Sequence, residues 1–97
     1  MTYTLLVKAP AVQDMEEAFE WYESKQIGLG VKFLDEVEGF YNRITLNPAH
    51  YQSHRNQRIA VMHRFPYKIV YEIEGDTIVV YAVYHDKRNL TRLTERE

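Results

Sequence analysis

Four cationic or titratable side chains crowd the last third of this 97-residue sequence: His63, Lys68, His85 and Arg88. An imidazole can give or take a proton near neutral pH. A lysine and an arginine can hold developing negative charge. Such a set is suited to proton transfer beside an anionic centre, provided that one end of a sheet gathers it. The plainer reading is that His63 and His85 are solvated strand-end residues and that Arg88, with Lys87 and Arg92, keeps a charged tail in solution. As metal ligands the two histidines lack a convincing third partner, so no metal and no cofactor are expected. The sequence holds no glycine-rich phosphate loop and no Ser/His/Asp arrangement.

The elements that would position these residues follow from periodicity. Residues 58–64, 67–74 and 77–85 are β-prone runs separated by Phe65-Pro66 and by Glu74-Gly75-Asp76, which reads as a three-stranded meander. Tight turns would pair His63 with Lys68 and Lys68 with Val83. One sheet face would then carry Met62, Ile69, Tyr71, Ile73, Ile78, Val80, Ala82 and Tyr84. The other would carry Ile59, Val61, His63, Lys68, Val70, Tyr81, Val83 and His85. A slip of one residue in either hairpin would exchange the two sets. The second face, apolar in the middle and basic at one end, is the expected binding surface.

Upstream, Tyr3–Lys8 is a short strand. From about Ala11 to Lys25 the residues Ala11, Met15, Ala18, Phe19 and Tyr22 recur at helical spacing, with Asp14, Glu16 and Glu17 near the positive end of the helix dipole. Gly28-Leu-Gly30 interrupts the helical pattern. Phe33, Leu34, Val37, Phe40, Tyr41 and Ile44 mark a second helix, on which Lys32 and Glu36 are spaced to pair, and Asn47-Pro48 stops it. So short a link makes the two helices a hairpin. Residues 49–57 read as a polar surface loop, and 86–97 as a charged tail or short helix.

The expected fold is therefore α+β, in the order β-α-α-β-β-β: one domain over residues 1–97, with an antiparallel sheet and a helix hairpin on one face. Cysteine is absent, which removes disulfide and thiolate chemistry. No apolar run approaches the ~20 residues of a membrane span, and the N-terminus lacks the pattern of a secretory signal, so a cytoplasmic location is expected. The net charge is −2, but residues 1–50 hold 4 basic and 8 acidic side chains, and residues 51–97 hold 8 basic and 6 acidic ones. A mildly acidic chain argues against an electrostatic grip on nucleic acid.

Six segments in this order resemble the RelE/ParE superfamily of bacterial toxins, the plasmid stabilisation proteins. They are Glu17-Ala-Phe-Glu-Trp-Tyr-Glu23, Gly28-Leu-Gly30 with Phe33-Leu34, Ile44-Thr-Leu-Asn-Pro48, Arg64-Phe-Pro-Tyr-Lys-Ile-Val-Tyr71, Gly75-Asp-Thr-Ile-Val-Val80 and Val83-Tyr-His-Asp-Lys-Arg-Asn89. The resemblance implies the toxin of a type II toxin–antitoxin pair, held inactive by a cognate antitoxin. RelE-type members cut messenger RNA on the ribosome without a metal; ParE-type members poison DNA gyrase. The RelE-type pattern places two lysines where this chain has Ile59 and Val61, an arginine at Lys68, an arginine at Arg88 and a tail tyrosine at Thr94. Only the cationic character of Lys68 and Arg88 survives. The resemblance therefore favours the ParE branch, a binder of a target protein and not an enzyme. Two alternatives stay open: a ribosome-dependent endoribonuclease using the candidate set His63, His85, Lys68 and Arg88, and a binding module without toxicity. The antitoxin is expected to wrap the helix hairpin and the uncovered sheet face at Val61, Val70, Tyr81 and Val83, with Lys87 and Arg92 as further contacts. A homodimer through the acidic first helix or the tail leucines is also open.

Overall fold

Pro10 lies in the first turn of helix α1 (Ala9–Lys25), where its missing N–H breaks no helical bond. Lys8 is extended, and its backbone carbonyl receives the N–H groups of Ala11 and Val12. The computed structural model describes residues 2–86 and places α1 directly after strand β1 (Thr4–Val7). Helix α2 (Leu29–Leu46) follows, then a 3-10 turn at Pro48–His50 and strands β2 (Gln52–His54), β3 (Gln57–Val61), β4 (Tyr67–Glu74) and β5 (Thr77–His85).

The link between the helices is set by two glycines and a carboxylate. Gly28 sits at a φ of 90°, a left-handed conformation open to glycine. The Glu23 carboxylate accepts the N–H groups of Gly28 and Gly30, each at 2.9 Å, so the last turn of α1 caps the start of α2. A Cβ on Gly30 would stand 2.7 Å from both the Phe19 ring and the Phe19 carbonyl oxygen, so only glycine lets the helices meet this closely.

Among the described residues the sheet has five strands, in the order β1-β5-β4-β3-β2. It is mixed rather than wholly antiparallel. β1 runs parallel to β5, with Thr4 opposite Thr77 and Val7 opposite Val80. The helix hairpin returns the chain so that the first strand lies beside the last. β2 pairs antiparallel with β3 inside the segment expected to be a loop; it is three residues long, polar and exposed. The meander is present as expected, and Gly75, at a φ of 63°, closes its second turn between Glu74 and Thr77.

Two features of the register differ from expectation. Val61, not His63, pairs with Lys68. The β3–β4 turn is wider because Phe65 does not sit at its tip; it is buried against Tyr22 and Phe33. The shift of two residues leaves the faces unchanged. In the second hairpin Ile73 pairs with Ile78 and Tyr71 with Val80, but Val70 pairs with Ala82 and Lys68 with Tyr84, so Tyr81 is an extra residue in β5. This bulge reverses the faces beyond it. Val83 joins the helix-covered core, while Ala82 and Tyr84 pack with Val70 and Ile59 on the opposite face.

The core lies between the hairpin and the sheet. Phe33, Val37, Phe40 and Ile44 of α2 meet Ile69, Tyr71, Ile78 and Val80 of the sheet, all essentially inaccessible. Each such side chain contributes about 1.5–3 kcal/mol of hydrophobic stabilisation. Tyr71 is buried with its hydroxyl satisfied, donating to the Pro48 carbonyl at 2.6 Å.

Candidate functional site

Lys68 stands on the sheet face away from the helices, between Val61 of β3 and Tyr84 of β5. Its Nζ lies 2.8 Å from Asp86 Oδ1. That hydrogen bond to Asp86 raises the Lys68 ammonium above its ordinary range and keeps it charged. The ion pair is partly exposed, so it contributes little stability. It does occupy the one cationic side chain of the candidate set that the strands themselves hold on this face.

The two histidines lie elsewhere. Tyr67 is opposite His85 in the β4–β5 ladder, so His85 shares the helix-side face with Tyr67, and the two rings meet edge to face at 5.3 Å. His63 lies in the β3–β4 turn, with its ring 5.4 Å from that of Phe40 on α2. The turn is held from the same side: the Glu36 carboxylate accepts the backbone N–H groups of His63 and Arg64 at 3.2 and 2.9 Å. Glu36 thus fixes a hairpin instead of pairing with Lys32. Lys68, His63 and His85 therefore share one end of the sheet, but the histidines turn toward the helices and the lysine turns away. Arg88, Lys87 and Arg92, and the tail positions around them, lie outside the described residues.

The expected contact residues also divide. Val61 is 52% exposed, and Tyr81 reaches solvent with its hydroxyl donating to Glu74 at 3.1 Å. Burial, and then this hydrogen bond, raise the Tyr81 phenol above its usual range. Val70 and Val83 have almost no accessible surface, Val70 beneath its neighbours on the face away from the helices and Val83 within the core. Neither presents a surface to a partner.

Val83 carries a feature that the sequence reading missed. Beyond Val80, β1 leaves β5 to enter α1, and the edge of β5 loses its neighbour. Asp14, only 7% exposed, takes the place of a strand: its Oδ2 accepts the Val83 N–H at 3.0 Å. The signal was available, because Asp14 lies between Ala11 and Ala18 in the stripe of α1 that faces the sheet. The Tyr41 hydroxyl donates to the Met15 sulfur nearby, and burial, followed by the charge of Asp14, raises its phenol well above the usual range.

Among the described residues no group of three or more His, Asp or Glu side chains is placed to hold a metal. No helix among them is long and apolar enough to cross a membrane. Among the described residues the arrangement supplies one ion-paired lysine, an exposed Val61 beside a half-buried Tyr81, and a buried interior, but no converging acid, base and free cation.

Comparison with known proteins was made on this basis. The family model for the ParE toxin of the type II toxin–antitoxin system parDE matches residues 5–90. Among solved structures, the chain is similar to one from the chromosomal ParDE toxin–antitoxin system of P. aeruginosa, with a TM-score of 0.76 and 12% identity, over 87% of this chain and 96% of that one. It is also similar to one from the RelBE2 toxin–antitoxin complex of Mycobacterium tuberculosis, with a TM-score of 0.61 and 18% identity, over 88% and 99% of the two chains. At these identities the two structures speak for the shared fold. No curated protein matches the chain by sequence.

Proposed function

We propose that this chain, which belongs to the family of ParE toxins of type II toxin–antitoxin systems, arrests growth by binding a protein target and not by cutting RNA. DNA gyrase is the target that the ParE branch suggests. The structural likeness to both a ParDE and a RelBE system leaves the fold neutral between the two activities. One observation favours binding. Cleaving RNA through its own 2′-hydroxyl needs a base, an acid and cations around one phosphate. Here the Lys68 ammonium faces Asp86 on one side of the sheet, while His63 and His85 lie against Phe40 and Tyr67 on the other. The loss of both RelE-type lysine positions, to Ile59 and Val61, points the same way.

A cognate antitoxin is the expected partner and the cytoplasm the expected place of action. Both solved relatives come from toxin–antitoxin systems, which supports the first expectation. Of the four expected sheet contacts, Val61 and Tyr81 are the two that reach solvent, with Lys87 and Arg92 of the tail as further candidates.

Two assays on the full chain test the choice. The purified protein should inhibit gyrase supercoiling, and primer extension on translating ribosomes should show messenger RNA intact. Site-specific cuts that disappear in a Lys68→Ala/Arg88→Ala variant would overturn the proposal in favour of an endoribonuclease. Absence of both effects, together with unimpaired growth on expression, would leave a binding module.

A further inference from the structure

The mild net charge hides a segregation. Residues 39–71 contain none of the fourteen Asp and Glu side chains, yet they hold Arg43, Arg55, Arg58, Arg64, Lys68 and three of the four histidines. Arg64 and Lys68 stand where β3 ends, and Lys68 is paired with Asp86. The other three arginines belong to the opposite margin of the sheet. Arg43 lies in the last turn of α2 with its guanidinium 4.8 Å from the centre of the Phe40 ring, and that ring also meets Tyr51. Arg58 donates from Nη1 to the carbonyls of Ala49 and Tyr51 at 3.2 and 2.8 Å, which ties β3 to the 3-10 turn. Arg55 occupies the two-residue turn between β2 and β3. His50 and His54 are exposed on the same stretch, and β2 is the outer strand of the sheet on this side among the described residues.

Two features set this margin apart from ordinary solvated surface. The first is that its cations are held by neutral groups. A ring positions Arg43 and two carbonyls position Arg58, and neither they nor Arg55 form an ion pair with another described residue. Their charge is placed but not cancelled. The second is that Arg55 has a φ of 60°. Two-residue hairpin turns take Asn, Asp or Gly in that left-handed position. An arginine there costs stability, and strain of this kind collects where a side chain is needed for binding.

We infer that this margin grips the phosphate backbone of duplex DNA without reading its sequence. Residues 52–56 expose Gln, Ser, His, Arg and Asn in succession. Arg, Ser, Asn and Gln are side chains that donate to phosphate oxygens. The same stretch has no apolar anchor of the kind that centres a protein interface. A single strand fits less well. Single strands are held by bases stacked on open aromatic faces, and the Tyr51 ring is already met by Phe40, His50 and Tyr71. The charge of the whole chain argues against such a grip only because it averages an acidic helix hairpin with a basic sheet margin. The inference concerns binding alone and does not depend on gyrase being the target.

The probe is a short labelled duplex DNA of arbitrary sequence, titrated with the full chain by fluorescence anisotropy over a series of salt concentrations. Log affinity should fall against log salt with a slope of about −3, close to 0.9 for each of three neutralised phosphates. Arg43→Gln/Arg55→Gly should bring that slope to about −1 and weaken binding at low salt by about tenfold or more. Arg55→Gly alone should weaken binding yet raise the melting temperature, because glycine accepts the left-handed φ freely. Lys25→Gln/Lys32→Gln removes the same charge from the helix hairpin and should bind as the parent does. Absence of salt-dependent binding, or an Arg43→Gln/Arg55→Gly variant that binds like the parent, overturns the inference and leaves the cations to guard an edge strand against pairing. Equal loss in the Lys25/Lys32 variant overturns the placement, and tighter binding of a single strand overturns the choice of duplex. Binding is measured without gyrase, so it stands or fails separately from the supercoiling assay.

Discussion

Replacing Asp14 by alanine removes the acceptor of a backbone N–H at the unguarded edge of β5. The Val83 N–H would be left in a nearly inaccessible site, since Val83 itself is 1% exposed. A charge-assisted hydrogen bond of this kind is worth about 1.5–3 kcal/mol, and an unsatisfied buried donor costs a similar amount. Alanine restores up to about 0.7 kcal/mol as the better helix former. The expected net loss is about 2 kcal/mol. For a domain of this size that lowers the melting temperature by about 8–16 °C. Asp14→Asn keeps an acceptor oxygen and should lose about half as much. Urea unfolding followed by circular dichroism measures both. Two further readings separate this mechanism from a general loss of packing. Amide exchange at Val83 should accelerate beyond the global change. The Tyr41 phenol, raised by burial and then by the charge of Asp14, should titrate lower in the variant. An Asp14→Ala protein within about 0.5 kcal/mol of the parent, the ordinary range of a surface change, would refute the reasoning.

Other expectations are direct. Gly30→Ala places a Cβ 2.7 Å from the Phe19 carbonyl, which cannot rotate away, and should cost about 1–3 kcal/mol or more in urea unfolding as the helices part. Gly28→Ala meets no atom within 4 Å and should lose about 1–2 kcal/mol, from its left-handed φ alone. Burial pushes the Tyr71 phenol up to about 12. The fold then holds a proton that the unfolded chain releases near pH 10, so the Tyr71 contribution is full below that pH and is lost as pH rises toward 12, by about 2–3 kcal/mol for this group, and the raised Tyr41 phenol adds a loss of the same sign. Urea midpoints on either side of this window should differ, and Tyr71→Phe should reduce the difference, leaving the part that Tyr41 contributes. Lys68→Ala and Asp86→Ala should each move stability by less than about 1 kcal/mol, because their ion pair is partly exposed.

The second helix was legible because its buried stripe is wholly apolar. Phe33, Val37, Phe40, Tyr41 and Ile44 recur at helical spacing with polar residues between them, and all are buried in α2. The order of the meander was legible from Gly75 and from the β-branched runs around it. What the sequence concealed has physical reasons. Val79-Val-Tyr-Ala-Val-Tyr84 is apolar at every position, so alternation carries no phase and the extra residue at Tyr81 leaves no trace. Val83 was therefore assigned to the wrong face, and Tyr84 with it. The parallel partnership of β1 with β5 spans most of the chain, and no local pattern reports it. β2 was missed because a three-residue polar edge strand is indistinguishable from a loop. The candidate set at the sheet end was legible by residue type and strand end only. The partner of Lys68, and the sides on which His63 and His85 lie, depend on the turn geometry around Phe65 and on the bulge.

The neighbours of β5 bear on how the chain is made. The last of the described strands sits between β1 and β4, inside the sheet and not at its margin. During synthesis the helix hairpin, joined by contacts close in sequence, can assemble early, since local contacts close fastest. β1 must wait, unpaired, until residues 77–80 have emerged to receive it. The two sides of the sheet are thus joined in a closing step, and a nascent fragment lacking β5 has β4, β3 and β2 to pair but nothing to link them to β1.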